Sequence, residues 1–347
     1  MRIAVVNAHA PFVRGGAEYL ANGLVSTLQD CGHEADLIRV PFRDDPQGLL
    51  DGLLVSRMLD LRTCALGDVD LIIALKFPVY LVPHANKIIW VIHQHRAVYD
   101  LWHNSLGGFS GRSDGALIRA AVRSADAQAY REAQSVYAIS RTVSRRLTAF
   151  SQVHATPIFT PPEKAELFRA GLAEDFFYLP SRFTSIKRQD LIIRSLSRTR
   201  NPVRLVLAGP NSAGGYLREL EALVDELGLK HRVNFRGDIS GEEKRNLYAR
   251  CIGVVFCPID EDYGYVTLEG MLSSKPIITT HDAGEPVEFV RHGETGLIVR
   301  PDPTSIAGAM DELWENRDRA CAMGKAGRDF LASHDISWTN AVRTLLA

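Results

Sequence analysis

Short apolar runs alternate with longer amphipathic stretches along nearly the whole chain. Arg2–Val6 predicts a buried first strand. Ala17–Cys31, with Leu20, Leu24 and Leu28 on one face, predicts a helix, and Ala35–Val40 a second strand. A strand–helix–strand unit of this kind implies a parallel sheet. Val69–Leu75, Lys87–Ile92 and Ser135–Ile139 read as further strands, Ala116–Ala133 as a helix, and Ser140 as the start of another. The proline-rich stretch Thr156–Pro162 reads as a linker. Beyond it the alternation restarts. Strands are expected at 176–179, 203–208, 233–235, 251–258, 276–280 and 296–299, and helices at 190–199, 217–227, 242–249 and 269–276. Two α/β domains follow, each a Rossmann-like doubly wound parallel sheet, facing each other across a cleft.

Composition narrows the class. With 347 residues, each of two domains can bury its own core. A net charge of -1 offers nucleic acid no electrostatic footprint. The start, Met1–Asn7, lacks the pattern of a secretory signal, and no apolar run approaches the about 18 residues of a membrane span. The five cysteines are scattered without a Cys-x-x-Cys pair, which points to reduced thiols in a cytoplasmic protein and away from zinc.

The densest chemistry lies at Glu261-Asp262-Tyr263-Gly264-Tyr265-Val266-Thr267-Leu268-Glu269. A carboxylate follows a buried strand, a glycine marks the turn, and a second carboxylate sits on the following helix. Ligands bind at that end of the strands in open α/β sheets. Amides at a helix start can hold a phosphate, and a carboxylate further along can accept from a ribose diol. An ordinary acidic strand-to-helix connection fits the same spacing. Gly15-Gly16 exposes backbone at another helix start, either for an anion or sugar hydroxyl or for the turn alone. There is no Gly-x-Gly-x-x-Gly.

Elsewhere the candidates are sparser. His93 and His95 alternate onto one face at a strand end, where His93 reads as a hydrogen-bond donor to substrate or as a structural histidine. Asp68 and Asp70 read as caps on the strand that follows. Tyr99–Ser113 is a glycine- and aromatic-rich loop, mobile or functional. Arg141, Arg145 and Arg146 form a basic face that is either solvated or in weak contact with an anionic acceptor or membrane surface. Arg182 and Lys187 follow a strand end and could neutralise a diphosphate.

In this order the motifs resemble glycosyltransferase family 4, the retaining, nucleotide-sugar-dependent transferases of GT-B fold. The resemblance runs over nearly the whole chain. It rests on Gly15-Gly16-Ala17-Glu18, His93, Arg182 with Lys187, Leu207-Ala208-Gly209-Pro210, Phe235-Arg236-Gly237, the Glu261/Glu269 pair, Gly293–Val299 and Ile336-Ser337-Trp338.

The resemblance implies an acceptor domain over 1–160, a nucleotide-sugar donor domain over 161–330, and a helix within 331–347 crossing back to the first domain. Glu269 would hold the ribose hydroxyls and Glu261 would face the donor sugar. Backbone at Gly264, Tyr265, Val266 and Thr267 would contact sugar and diphosphate. Arg182 and Lys187 would balance the leaving phosphates, and His93 would bond the hexose. Gly15 and Gly16 would lie near the diphosphate, Gly209 belongs to the donor-binding set, and Gly237 would lie beside the base.

The implied reaction is metal-independent transfer of a hexose from a UDP- or GDP-sugar, with no further cofactor. The acceptor would be a glycan (a bacterial surface polysaccharide, for example), a glycolipid or a small molecule. A nucleotide-sugar epimerase or hydrolase of the same fold, or a non-catalytic nucleotide-sugar binder, fits the same motifs. Tyr263, Tyr265 and Gly284-Glu285 depart from the family pattern beside the hexose pocket and leave the donor sugar open.

Overall fold

The computed structural model describes residues 1–12, 15–104, 106–211 and 215–347. Positions 13 and 14, ahead of Gly15-Gly16, and 105 of the loop expected over 99–113, lie outside the described residues. The chain divides into two compact units, 1–160 with 336–347, and 161–335.

The first unit runs β1 (Arg2–His9), α1 (Gly16–Asp30), β2 (Glu34–Pro41), α2 (Pro46–Met58), a small hairpin of β3 (Thr63–Cys64) and β4 (Gly67–Asp68), β5 (Leu71–Ala74), β6 (Lys87–Val91), α3 (Gly115–Glu132), β7 (Ser135–Ala138), α4 (Arg141–Ser151) and β8 (Thr156–Pro157). Its main sheet has the order β2-β1-β5-β6-β7-β8, parallel throughout. The central strands are buried along their length, as expected of a parallel sheet covered on both faces. Lys87 is the polar exception, fully buried and donating to the carbonyls of Tyr80 and Val82 at 3.1 Å each. Asp70 accepts from the Arg2 amide at 2.6 Å and so fastens the start of β1.

Helix α2 was absent from the pattern reading. Asp45 caps it, accepting from Gly48 N at 2.8 Å, and Pro46 occupies its first turn. Its two glycines lower helix propensity, and Leu54, Val55 and Met58 are exposed, so no buried stripe announces it. The expected basic face on α4 is also revised: Arg146 is buried, 4.0 Å from Asp100, while Arg141 lies over the Phe159 ring. Within the loop expected at 99–113, Tyr99, Leu101, Trp102 and Phe109 are buried, and the Arg119 guanidinium lies 4.5 Å from the Trp102 ring centre. Below it the Tyr99 hydroxyl donates to Asp126 at 2.8 Å. Burial pushes the fully buried Asp126 carboxyl up to about 7.

The second unit runs β9 (Phe176–Pro180), α5 (Gln189–Leu196), β10 (Arg204–Ala208), α6 (Tyr216–Glu226), β11 (Val233–Phe235), α7 (Gly241–Arg250), β12 (Val254–Val255), α8 (Tyr265–Leu272), β13 (Ile277–Thr280), α9 (Pro286–Phe289), β14 (Gly296–Val299), α10 (Pro303–Glu315) and α11 (Arg317–Ala332). Its sheet is again parallel, in the order β11-β10-β9-β12-β13-β14. Phe177, Leu179, Leu205, Leu207, Val255 and Ile278 form its core with apolar residues of α5, α6 and α10.

Two expectations here are corrected. The strand read over 251–258 is regular only at Val254–Val255, flanked by single backbone bonds from Ile252 to Phe176 at 2.8 Å and from Phe256 to Ile278 at 2.9 Å. The helix read over 269–276 begins at Tyr265 and ends at Leu272. The β-branched and aromatic start Tyr265-Val266-Thr267 looks like strand, and the preceding glycine overrides it.

The last helix, α12 (Trp338–Leu346), belongs with the first unit. Ser337 caps it, and Ala341, Val342 and Leu345 are buried. The Trp338 ring lies against α1, 6.2 Å from the Tyr19 ring centre and over Gly23, where a Cβ would come within 2.2 Å of it.

Two outcomes follow from this packing. Gly23→Ala should improve intrinsic helix propensity and still destabilise the chain by about 1–3 kcal/mol, because the indole must move; thermal unfolding with near-ultraviolet dichroism reads both effects. Asp126 has a raised folded pKa, so its neutral form costs nothing below about pH 4. Stability is then lost as pH rises towards 7 and levels off above. Asp126→Asn should gain on the wild type over that window by at most about 4 kcal/mol, measured as chemical-denaturation midpoints at pH 5 and pH 8.

Candidate active site

All strands of the second sheet run parallel, so their carboxyl ends share one edge. Arg182 follows β9, Gly209 follows β10, Gly237 lies just beyond β11, and Glu261 follows β12. The edge is knitted by backbone bonds. Ser181 N donates to the Ala208 carbonyl at 2.9 Å, and Gly209 N to that of Gly237 at 2.7 Å. Arg182 is exposed, and its side chain makes no ion pair among the described residues. Its carbonyl accepts from Gln189 Nε2 at 2.9 Å, which fixes the backbone beneath it.

A short 3-10 turn, Ser185–Lys187, carries the second predicted cation. Ile259 N donates to the Ile186 carbonyl at 2.9 Å and brings that turn against the segment leaving β12. Lys187 Nζ thereby forms an ion pair with the Glu261 carboxylate, both side chains largely buried, and lies 5.4 Å from the Phe256 ring centre. Beside it Arg188 grips Asp282 with two hydrogen bonds, at 2.9 and 2.6 Å. Burial works to raise Asp282's pKa, and the bonds from Arg188 and Thr280 outweigh it, holding the carboxylate below its usual range.

The backbone of Glu261 is held on both sides. Its amide donates to the Ala283 carbonyl at 2.8 Å, and its carbonyl accepts from Glu285 N at 3.0 Å. This contact needs Gly284, whose φ is +78° and where a Cβ would sit 2.4 Å from Glu261 N. Gly264, at φ +76°, then turns the chain into α8. The amides of Gly264, Tyr265 and Val266 lie at that helix's donor end, where the dipole favours an anion. The Thr267 amide differs from expectation: it donates to the Gly264 carbonyl at 2.9 Å, inside the first turn. Tyr263 is buried against Tyr265 and Phe289, with ring centres 4.7 and 5.9 Å away, so it packs the turn.

Glu269 comes one turn further along α8 and is buried. Lys244 Nζ donates to its Oε1 at 2.6 Å and the Tyr248 hydroxyl to its Oε2 at 2.6 Å. Pattern reading missed both partners. Their four-residue spacing puts them on one face of α7, which was the available signal. Arg236, beside Gly237, pairs with Glu243 of the same helix at 2.5 Å.

The remaining candidates lie in the first unit. Gly15 is the N-cap residue of α1, and Gly16 its first residue. His93 follows β6 half-buried, with Nδ1 2.9 Å from the Gln94 carbonyl. That carbonyl can only accept, so Nδ1 carries the proton in this hydrogen bond. His95 has a different role, buried between Phe77 and Phe109 and 2.8 Å from Asp44.

Two doubly wound units of this kind are the GT-B fold class. Sucrose-phosphate synthase of Thermosynechococcus elongatus matches over 99% of this chain and 97% of that one, with a TM-score of 0.81 at 19% identity. HepE of Anabaena, solved in complex with UDP and glucose, matches over 100% and 98%, with a TM-score of 0.72 at 16% identity. At such identities the likeness is one of fold.

In sequence, residues 165–330 match the family described as glycosyl transferases group 1. Its curated relatives include an alpha-1,3/1,6-mannosyltransferase of Mus musculus, 30% identical over 48% of this chain and 43% of the relative. A GDP-mannose-dependent alpha-(1-6)-phosphatidylinositol monomannoside mannosyltransferase of Mycobacterium tuberculosis is 32% identical over 50% and 47%. The match thus spans less than half the length of these relatives.

The double backbone contact at Glu261 makes a direct prediction. Gly284→Ala should destabilise the chain by about 2–4 kcal/mol, through a strained φ and a backbone clash together. Hydrogen exchange at the Glu261 and Glu285 amides should accelerate with it. Unchanged exchange would mean that the contact is not what holds this turn.

Proposed function

We propose that the chain is a retaining glycosyltransferase. It moves a hexose from a nucleoside-diphosphate sugar to a glycan, glycolipid or small-molecule acceptor, without a metal. The observation that carries this reading is the arrangement along one sheet edge of Arg182, Lys187 paired with Glu261, the donor end of α8, and Glu269 one turn beyond. Each part matches one piece of such a donor. The α8 amides and the two cations meet the diphosphate, and Glu269 accepts from the ribose hydroxyls. Several relatives are named mannosyltransferases, one of them GDP-mannose-dependent, so GDP-mannose is the first donor to test.

In the proposed reaction the bond from the anomeric carbon to the diphosphate oxygen breaks, and the negative charge grows on the leaving phosphate. Arg182, Lys187 and the α8 amides stabilise that charge, the work a divalent metal would otherwise do. The incoming diphosphate brings Lys187 a second anion and frees Glu261 to accept from a hexose hydroxyl. The acceptor hydroxyl attacks from the face the leaving group vacates and passes its proton to the departing phosphate oxygen, so configuration is retained.

Incubation with labelled GDP-mannose and, separately, UDP-glucose separates the readings. Transfer to an acceptor supports this one. Free sugar without transfer, an altered nucleotide sugar, or a bound and unchanged donor would replace it with a hydrolase, an epimerase or a binding protein. Lys187→Met should lower kcat by about a hundredfold, and Glu269→Gln should raise the donor KM by about tenfold with kcat nearly unchanged. Full activity in both variants would overturn the site.

A further inference from the structure

Both oxygens of the buried Glu269 carboxylate already have a donor. Tyr248 holds Oε2 and Lys244 holds Oε1, each at 2.6 Å and both from α7. A carboxylate offers about four lone-pair positions. Two are filled here, which leaves about two, the number a vicinal diol needs.

The two donors are held differently. The Tyr248 ring is fully buried, edge-on to Tyr178 at 5.0 Å and to Phe168 at 5.6 Å between ring centres, which holds its hydroxyl oxygen 2.6 Å from Glu269 Oε2 and 3.5 Å from the Val266 carbonyl. Burial, reinforced by the Glu269 charge, pushes its pKa upwards and keeps it a donor. Lys244 reaches in from a side chain 37% exposed and supplies the counter-charge that a buried carboxylate requires. Without these donors the carboxylate could rotate about its terminal torsion, which is intrinsically broad.

We infer that Tyr248 and Lys244 are positioning residues: they brace the Glu269 carboxylate from α7 so that its remaining lone pairs face a ribose diol, and thereby set a preference for ribonucleotides. This rests on the proposed nucleotide-sugar reading, and the test separates the two.

The measurement is the ratio of dissociation constants for 2′,3′-dideoxy-GDP and GDP, by titration calorimetry. It compares the wild type with Glu269→Gln, Tyr248→Phe, Lys244→Met and Lys244→Arg. The ratio cancels general losses of binding or folding, because it compares two ligands on one protein. The wild type should favour GDP by about tenfold or more, and Glu269→Gln should abolish the preference. Tyr248→Phe and Lys244→Met should each reduce it by about three- to tenfold. Lys244→Arg should retain it. With GDP-mannose, the first two should raise KM while kcat stays within about twofold.

A ratio lost in Glu269→Gln and intact in both Tyr248→Phe and Lys244→Met would overturn the brace and leave the site reading standing. So would a ratio that rises in Lys244→Met, because Lys244 would then be a competitor of the diol. A wild type without ribose preference, or a preference that survives Glu269→Gln, would overturn the site reading itself. Should Tyr248→Phe unfold, the surface variant Lys244→Met still decides.

Discussion

The second unit's chemistry depends on how the chain leaving β12 is held. Four backbone hydrogen bonds, from Ile259 to Ile186, from Asp260 to Asp282, from Glu261 to Ala283 and from Glu285 to Glu261, fix a segment with no regular structure of its own. They place the 3-10 turn, the first carboxylate and the start of α8 within one frame. Each bond is worth only about 0.5–1.5 kcal/mol net. Their effect lies in direction: Lys187 and Glu261 come from positions far apart in sequence, and only this frame makes them partners.

That frame concentrates charge where a parallel sheet would otherwise present bare strand ends. Lys187 with Glu261, Arg188 with Asp282, Arg236 with Glu243 and Lys244 with Glu269 form four pairs near one edge. Exposed pairs contribute little stability, commonly about 0–1 kcal/mol. The partly buried ones roughly balance their desolvation. Such pairs are better understood as stored charge: a second anion can draw on their cations without a new buried charge being created.

The first unit has another economy. Its sheet interior is apolar apart from Asn7 and Lys87, and further polar groups gather at α3, where Tyr99 meets Asp126, and around His95 with Asp44. A carboxyl raised to about 7 by burial is a destabilising element at neutral pH. Its hydrogen-bond partner, Tyr99, lies in the stretch between β6 and α3. The helix α12 is tied to α1 by one tryptophan over one glycine, so a segment near residue 340 is structurally part of the unit containing residue 1.

Alternating apolar runs were enough to read the two doubly wound units, because a strand buried on both faces is a short continuous apolar block and its crossover helix carries a 3.6-residue stripe. The glycines at 209, 237 and 264, the cations at 182 and 187, and the carboxylates at 261 and 269 could be picked out for a related reason, since they stand in the loops that follow strands or in the first turns of a helix. Helix α2 was not legible, having no buried stripe, and the start of α8 was hidden behind β-branched residues that only Gly264 and its packing overrule. Which groups touch was decided by the tertiary structure alone. Nothing local says that Glu269 is held by Tyr248 and Lys244, that Lys187 pairs with Glu261, or that Arg188 grips Asp282. Those facts depend on contacts between elements, and hydrogen-bond direction and desolvation exist only once the elements have met.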